Sequence, residues 1–302
     1  MLRSPRSGRA LVLRDGRLVT ADGGESYAIS ASGIPLFADH FISDAARQQQ
    51  SHYDGMVASY VDNLEYPHTR AYMAYLDEKL IEALPAAGLG TVAELCCGRG
   101  EAVRLLGERM DRVIGVDVSV GLLGLARSEL PDRRFFFVQG DATRLPLADA
   151  CVDNVVMLGG IHHVPDRAAL FREVWRILRP GGGFYFREPA DDFFLWRAIR
   201  RVVYRVSPLL DHNTEAPLRR ESTSSQLRAA RLGLERWSTC GFLGFCVFMN
   251  SDVLVFNRLF RFVPGIGAIT RMACWVDDWT VRMPGFADAG LQVIGCARKE
   301  PA

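Results

Sequence analysis

The feature that most constrains the fold of this chain is a regular alternation of apolar runs and amphipathic helices between residues 90 and 190. The apolar runs are TVAEL, RVIGVDV, RFFFVQG, DNVVML and GGFYFRE. The helical patterns between them include EAVRLLGERM, GLLGLARSEL and AALFREVWRIL. Strands and helices that alternate at this interval predict an α/β fold, in which a mostly parallel sheet is covered by helices on both faces. A further run, LQVIGCARK, predicts a last strand near the end of the chain.

The segments on either side of this alternation have different patterns. Short apolar runs separated by Asp15-Gly16 and Asp22-Gly23 predict hairpins near the start. Apolar residues spaced by three and four follow, and Pro67 divides them into two helices. We therefore expect a small β-rich segment over residues 1–42, N-terminal helices over 43–85, a ligand-binding core over 86–190, a helical cap over 191–289 with a strand at 244–249, and the last strand within 290–302.

Charge and cysteine content narrow the class of protein. The 302 residues include 36 basic and 35 acidic side chains, so the net charge of +1 argues against a nucleic-acid partner. Seven cysteines without a C-x-x-C pair favour a reducing cytoplasm and no structural metal. The longest apolar run, Gly241 to Met249, is too short to span a membrane.

A glycine-rich turn joins the first strand of the alternation to its helix. Gly98 and Gly100 would let a ligand approach the backbone and the start of the helix. Val103 stands where the dinucleotide fingerprint G-x-G-x-x-G has its third glycine, which argues against a nicotinamide or flavin cofactor.

Three acids lie at the ends of three successive predicted strands. They are Glu94, Asp117 and Asp141, and the carboxyl ends of parallel strands meet at one edge of a sheet, where ligands bind. At the end of the second strand, Asp117 is placed to accept hydrogen bonds from ribose hydroxyls, and Asp141 from an adenine amino group.

These residues resemble the class I S-adenosylmethionine-dependent methyltransferases, in particular the small-molecule group called type 11. The matching motifs are ELCCGRG, VIGVDVS, GDATRLPL, DNVVMLGGIHHV and LRPGGGFYFREP. The resemblance implies a Rossmann-like seven-stranded sheet, S-adenosylmethionine as cofactor and methyl transfer as the reaction. Cys96 departs from the pattern, since the family usually has its first glycine there, and we expect binding with altered geometry near the methionine moiety. The cofactor contacts implied by the resemblance are Tyr53, Glu94, Cys96, Gly98, Gly100, Asp117, Val118, Asp141, Ala142 and Leu158.

The N-terminal run YAISASGIPLF resembles the end of a small zinc-ribbon-like segment that precedes many bacterial methyltransferase domains. Such a segment is held by paired cysteines, and the first 95 residues here contain none. The resemblance therefore implies a ribbon without its metal, and we expect no metal site.

The sequence leaves open the roles of three residues near the reacting group. Methyl transfer from a sulfonium is a direct displacement that needs alignment more than acid or base chemistry. His162 and His163 follow the fourth strand, where they either supply a base to a hydroxyl acceptor or make structural hydrogen bonds. Tyr53 either closes over the cofactor or packs in the core.

The only indication of the methyl acceptor in the sequence is the composition of the segments outside the cofactor-binding core. Residues 193–206 form an amphipathic pattern with Arg197, Arg201 and Arg205 on one face. This pattern favours a solvated cap helix over a lining for an anionic apolar acceptor or a contact with a membrane surface. We expect a lipophilic small molecule as substrate, with O-methylation first and C-methylation next. The alternative is an enzyme that binds the same cofactor and catalyses a cyclisation or rearrangement. The sequence indicates neither the acceptor's identity nor the oligomeric state.

Overall fold

The computed structural model describes residues 1–38, 41–51, 53–54, 65–197, 216–245 and 255–300 of the chain. A small antiparallel sheet comes first, built from β1 Leu11–Arg14, β2 Arg17–Thr20 and β3 Ser26–Tyr27. Asp15 and Gly16 both have positive φ, which suits the tight turn between β1 and β2 that the Asp-Gly pair predicts. The small N-terminal sheet is thus confirmed.

The zinc-ribbon resemblance of this segment gains no support. Within the described ranges, no group of three or more His, Cys, Asp or Glu side chains is placed to hold a metal ion. A polar network ties the segment together instead, since the Tyr27 hydroxyl donates to Glu25 at 2.7 Å and lies 2.8 Å from the Ser4 hydroxyl. Isolated bridges from Leu2 to Leu147 and from Leu36 to Gln139 attach the segment to the core.

The main sheet has seven strands in the order β6-β5-β4-β7-β8-β10-β9. Their bounds are β4 Gly90–Leu95, β5 Met110–Asp117, β6 Phe135–Gln139, β7 Val152–Leu158, β8 Leu178–Pro189, β9 Leu232–Cys240 and β10 Gln292–Lys299. Strands β4 to β8 are parallel, and β10 pairs antiparallel with both β8 and β9. The predicted α/β fold with a Rossmann-like seven-stranded sheet is confirmed.

Helices cover both faces of this sheet. Their bounds are α1 Pro67–Ala83, α2 Glu101–Leu106, α3 Val120–Glu129, α4 Arg167–Ile177, α5 Arg220–Ala229 and α6 Ile266–Thr280. Along β7, Val155 packs in one buried cluster with Phe171 of α4, while Val156 packs in another with Leu76 of α1. Pro67 occupies the first turn of α1, as its fixed φ favours. Among the helices in the described ranges, none is both long and apolar enough to cross a bilayer.

The region after β8 differs from the expected helical cap with a strand at 244–249. It contributes β9, the edge strand of the main sheet, whereas residues 242–245, next to and within the expected strand at 244–249, are helical. The chain turns at Gly241, where φ is +72°, and the carboxylate of Asp277 accepts hydrogen bonds from the N–H groups of Leu243 and Gly244. Residues 246–249 lie outside the described part of the chain, as do residues 198–206 of the arginine-bearing pattern, which is helical at 194–197.

Candidate functional site

A cavity of about 400 Å³ lies at the carboxyl ends of β4, β5, β6 and β7. Its volume falls in the range of about 300–1,000 Å³ that small-molecule sites occupy. Among the residues singled out in the sequence, its lining includes Tyr53, Cys96, Gly98, Asp117, Val118, Asp141, Ala142, Leu158 and His163. Glu94, Gly100 and His162 stand just outside the lining.

The glycine turn after β4 takes a left-handed backbone conformation at three positions. Cys96, Gly98 and Gly100 have φ of +50°, +50° and +82°. A Cβ on Gly100 would lie 2.8 Å from the Leu130 side chain, so Gly100 permits close packing behind the turn. Cys96 is not a glycine, so its left-handed backbone is strained. Its side chain lines the cavity.

Glu94 supports the turn from below. Its carboxyl group is buried and accepts hydrogen bonds from the N–H groups of Ala102 at 2.7 Å and Val103 at 3.2 Å, at the start of α2. Burial raises the pKa of Glu94 to about 8. Glu94 therefore holds the helix start in place, and the ligand-facing carboxylate is supplied elsewhere.

Glu101, which the sequence reasoning missed, supplies a carboxylate to the cavity itself. Its Oε1 atom is buried and has no hydrogen-bond partner among the described residues. Burial raises the pKa of this group as well. An acceptor of this kind suits a positively charged donor such as an ammonium group. The signal in the sequence is an acid directly after Gly100 at the start of a helix.

Asp117, at the end of β5, has acceptor capacity left after its protein contacts. Its Oδ2 accepts from the N–H of Gly98 at 2.8 Å, and its Oδ1 from the N–H of Ser119 at 2.9 Å. A carboxylate has about four acceptor sites, so two remain for a ligand in the cavity. Burial raises the pKa of Asp117, and the hydrogen bonds to these backbone groups oppose that rise.

Asp141 has no such capacity in this conformation. Its Oδ2 accepts from the N–H and the hydroxyl of Ser43, and its Oδ1 from the N–H and the hydroxyl of Thr143, at 2.6–2.9 Å. These four hydrogen bonds fill the acceptor sites of the carboxylate. The expected contact of Asp141 with an adenine amino group would require Ser43 to release at least one of its two hydrogen bonds to this carboxylate.

The segment that starts at Ser43 contacts three strand ends above the cavity. Ser43 caps a helix described at residues 44–51 and binds Asp141 after β6. The Tyr53 hydroxyl lies 3.1 Å from Nε2 of His163, which follows β7. Asp54 accepts a hydrogen bond from the hydroxyl of Ser119, which follows β5. We call residues 43–51, 53 and 54 the lid segment.

The histidine pair is organised by Glu188, at the end of β8. The fully buried Glu188 carboxylate accepts from the N–H groups of Gly160 and Ile161 at 2.8 Å each and lies 2.8 Å from Nδ1 of His162. The rings of His162 and His163 are 3.9 Å apart, and His163 faces the cavity. His162 is thus bound to Glu188, while His163 is the member of the pair that lines the cavity.

Known proteins that are similar to this chain carry methyltransferase names. Residues 93–186 match the family model described as a methyltransferase domain. A demethylmenaquinone methyltransferase of Lactococcus lactis is 29% identical over 129 residues, which cover 39% of this chain and 51% of that protein. A 27-O-demethylrifamycin SV methyltransferase of Amycolatopsis mediterranei is 34% identical over 125 residues, which cover 40% of this chain and 44% of that protein. The chain therefore spans about half of these relatives or less.

Among solved structures, the [4+2]-cyclase SpnF is similar with a TM-score of 0.59 at 17% identity. The match covers 87% of this chain and 98% of that one. At this identity the likeness shows a common fold.

Proposed function

We propose that this chain, whose residues 93–186 are a class I methyltransferase domain, is an S-adenosylmethionine-dependent methyltransferase of a lipophilic small molecule. The observation that carries the proposal is the cavity at the carboxyl edge of the sheet, with acceptor atoms of Asp117 and Glu101 unfilled by the protein. The named activities of the two relatives, on a quinone and on a rifamycin, support the lipophilic class of substrate.

The residues present fit the cofactor. Oε1 of Glu101 would accept from the ammonium of the methionine moiety, and the open acceptor sites of Asp117 would take the ribose hydroxyls. Gly98, with positive φ and no Cβ, leaves the backbone open on the cavity side. When bound, S-adenosylmethionine supplies the electrophilic methyl group. The roles of Val118, Ala142 and Leu158 as apolar walls belong to the same proposal.

The chain's own contribution to methyl transfer is alignment and exclusion of water. The lid segment lies across the strand ends, bound to Asp141, His163 and Ser119. His163 would hold the acceptor hydroxyl and take its proton as the new bond forms. His162 would stay with Glu188 and keep the His163 ring in place. This arrangement favours an oxygen acceptor, with a carbon acceptor as the second choice.

In this proposal, an aromatic cluster that follows β8 in the chain would bind the methyl acceptor. Ring centroids of Phe193 and Phe242 lie 5.7 Å apart, those of Trp196 and Phe245 6.1 Å, and those of Phe193 and Phe286 6.4 Å. The backbone N–H of Ala216 donates to the carbonyl of His162 and so brings this side of the chain to the histidine pair. None of these rings is part of the cavity lining, and the proposal rests on their character, since large apolar rings suit a lipophilic acceptor.

Cysteines in the described ranges are all free, which supports a reducing, cytoplasmic setting.

The test is product analysis by mass spectrometry. Purified protein is incubated with S-adenosylmethionine and reduced naphthoquinones or phenolic polyketides, and methylated product and S-adenosylhomocysteine are quantified. Equal amounts of both are expected, with Asp117→Ala strongly impaired and Asp132→Ala, at a half-buried position outside the cavity lining, unchanged. The alternative of a cyclisation, suggested by the fold shared with a cyclase, predicts a rearranged product of unchanged mass without S-adenosylhomocysteine. Protein that neither binds the cofactor by calorimetry nor forms any product would refute both.

A further inference from the structure

Helix α6 turns an uninterrupted apolar face away from the protein. Its buried face is formed by Ile266, Thr270, Cys274 and Asp277, and it packs on α1. On the opposite side lie six exposed residues that carry no charge: Ala268, Ile269, Met272, Trp275, Val276 and Trp279. The two tryptophans are 61% and 59% exposed, and their rings lie 6.1 Å apart. We call these six residues the docking face.

The two carboxylates of α6 do not lie on the docking face. Both carboxylates of α6 are directed into the protein, since Asp277 accepts from Leu243 and Gly244, and Asp278 accepts from the Tyr75 hydroxyl at 2.6 Å and from Lys79 at 2.7 Å.

Two arginines, in contrast, point outward. Arg271 on α6 and Arg282 just after it are exposed, and neither guanidinium group has a hydrogen bond or ion pair within the described ranges. The docking face is thus apolar in its centre and has two unpaired arginine side chains at its margin.

A small polar cavity of about 150 Å³ adjoins the carboxyl end of α6. Lys79, Arg236 and Arg282 bring three positive charges to its lining, with Ser238 as a hydroxyl donor. Asp278 and Glu82 bring two negative charges, so the lining retains a net positive charge. Such a cavity suits the phosphate of a lipid headgroup beside the tryptophans.

We infer that the docking face binds the surface of an anionic lipid bilayer, with α6 lying in the plane of the interface. Tryptophan at the headgroup level, apolar side chains below it and arginine at the margin are the features of interfacial helices. The two unpaired arginine side chains favour an anionic lipid surface over a second copy of the chain, which would carry the same positive charges. The docking face also continues toward the aromatic cluster proposed for the methyl acceptor. Met283 and Phe286, which follow α6 in the chain, are exposed, and the ring of Phe286 contacts that of Phe193. This inference goes beyond the proposed reaction, and its test requires no substrate.

The experiment is flotation of the full chain with phosphatidylcholine vesicles that contain or lack phosphatidylglycerol. We expect binding to the anionic vesicles at low salt, and binding that is weakened at high salt because the charges are screened. Trp275→Ser combined with Trp279→Ser should reduce the bound fraction about tenfold or more. The matched control is Leu13→Ser, which changes an equally exposed apolar residue on the small N-terminal sheet and should bind as the wild type does.

A second variant tests the two arginines at the margin of the docking face. Arg271→Gln combined with Arg282→Gln should weaken binding to anionic vesicles about thirtyfold, from about 1 kcal/mol for each charge near the surface. Wild-type protein that stays unbound to anionic vesicles at low salt would overturn the inference. So would a wild-type dimer in light scattering that the tryptophan variant dissociates, since a second copy would then cover the face. A lower melting temperature of the tryptophan variant with unchanged flotation would also overturn it, because the chain itself would then cover the face.

Discussion

The pH dependence of stability tests the role of Glu94 beneath the first turn of α2. Burial raises the pKa of this carboxyl to about 8, from an ordinary 4.5. Between these two values the native state holds a proton that the unfolded chain has lost. The contribution of Glu94 to the free energy of unfolding is therefore fully present below pH 4.5 and is lost as the pH rises through about 8.

The size of this effect follows from the same two values. At about 1.4 kcal/mol per pH unit, the interval from 4.5 to about 8 amounts to about 5 kcal/mol. Glu94→Gln keeps the shape of the side chain and stays neutral at every pH. Glutamine keeps one oxygen that accepts from one of these N–H groups, but its NH2 group faces the other N–H group and cannot accept from it. The variant should therefore be less stable than the wild type near pH 5, by about 1–3 kcal/mol for the lost hydrogen bond. Relative to the wild type it should then gain about 5 kcal/mol as the pH rises to about 8, and the difference should stay constant above that pH.

The assay is urea unfolding of both proteins at about pH 5, 7 and 9, with the free energy of unfolding extrapolated to zero denaturant. The difference between the proteins isolates Glu94 from the other titrating groups. Glu108→Gln, at an exposed position just after α2, is the matched control and should show no such trend. If Glu94→Gln is destabilised by a constant amount at all three pH values, the two N–H donors outweigh burial and keep the carboxyl ionised, and the reasoning is refuted.

Three further substitutions test the site. Asp117→Asn should weaken S-adenosylmethionine binding about tenfold or more in calorimetry, because an amide cannot accept from both backbone N–H groups and a ribose diol; unchanged affinity would remove Asp117 from the cofactor site. Ser43→Ala should cost about 1 kcal/mol of stability in urea unfolding through the lost helix cap, and should speed cofactor release in stopped-flow measurements by freeing the lid segment. Cys96→Gly should raise the free energy of unfolding by up to about 1 kcal/mol, since a residue other than glycine pays about 1–2 kcal/mol at this left-handed φ; a loss of stability would show that the thiol packs well enough to offset the strain.

The central strands could be predicted from the sequence because their physical signal is strong. Strands β4 to β8 are buried on both faces, so they appear as continuous apolar runs between helices, and the structure places them where those runs occur. The edge strand β9 was missed because it carries Glu235 and Arg236 on exposed positions, whereas the other edge strand, β6, keeps an apolar run. The apolar residues after Gly241 looked more like a strand, yet Asp277, more than thirty positions away, caps a helical turn there. That contact depends on the packing of α6, which the local pattern does not contain.

The three acids at the strand ends show where sequence reasoning stops at the site. Glu94, Asp117 and Asp141 look equivalent along the chain, but a carboxylate serves a ligand only with the acceptor sites that the protein leaves open. All acceptor sites of the Asp141 carboxylate take hydrogen bonds from Ser43 and Thr143. Ser43 lies 98 positions away in the chain, so the local sequence pattern does not contain this contact. Glu94 accepts as many hydrogen bonds as Asp117 does, but it lies beneath the start of α2 and outside the cavity lining. Of the three acids, Asp117 is therefore the one that both lines the cavity and keeps open acceptor sites. Glu101, at the start of α2, adds a second carboxylate to the lining. Strand-end position selects the edge of the sheet, whereas access to the cavity and the number of N–H and hydroxyl donors around each carboxylate decide which acid is open to a ligand.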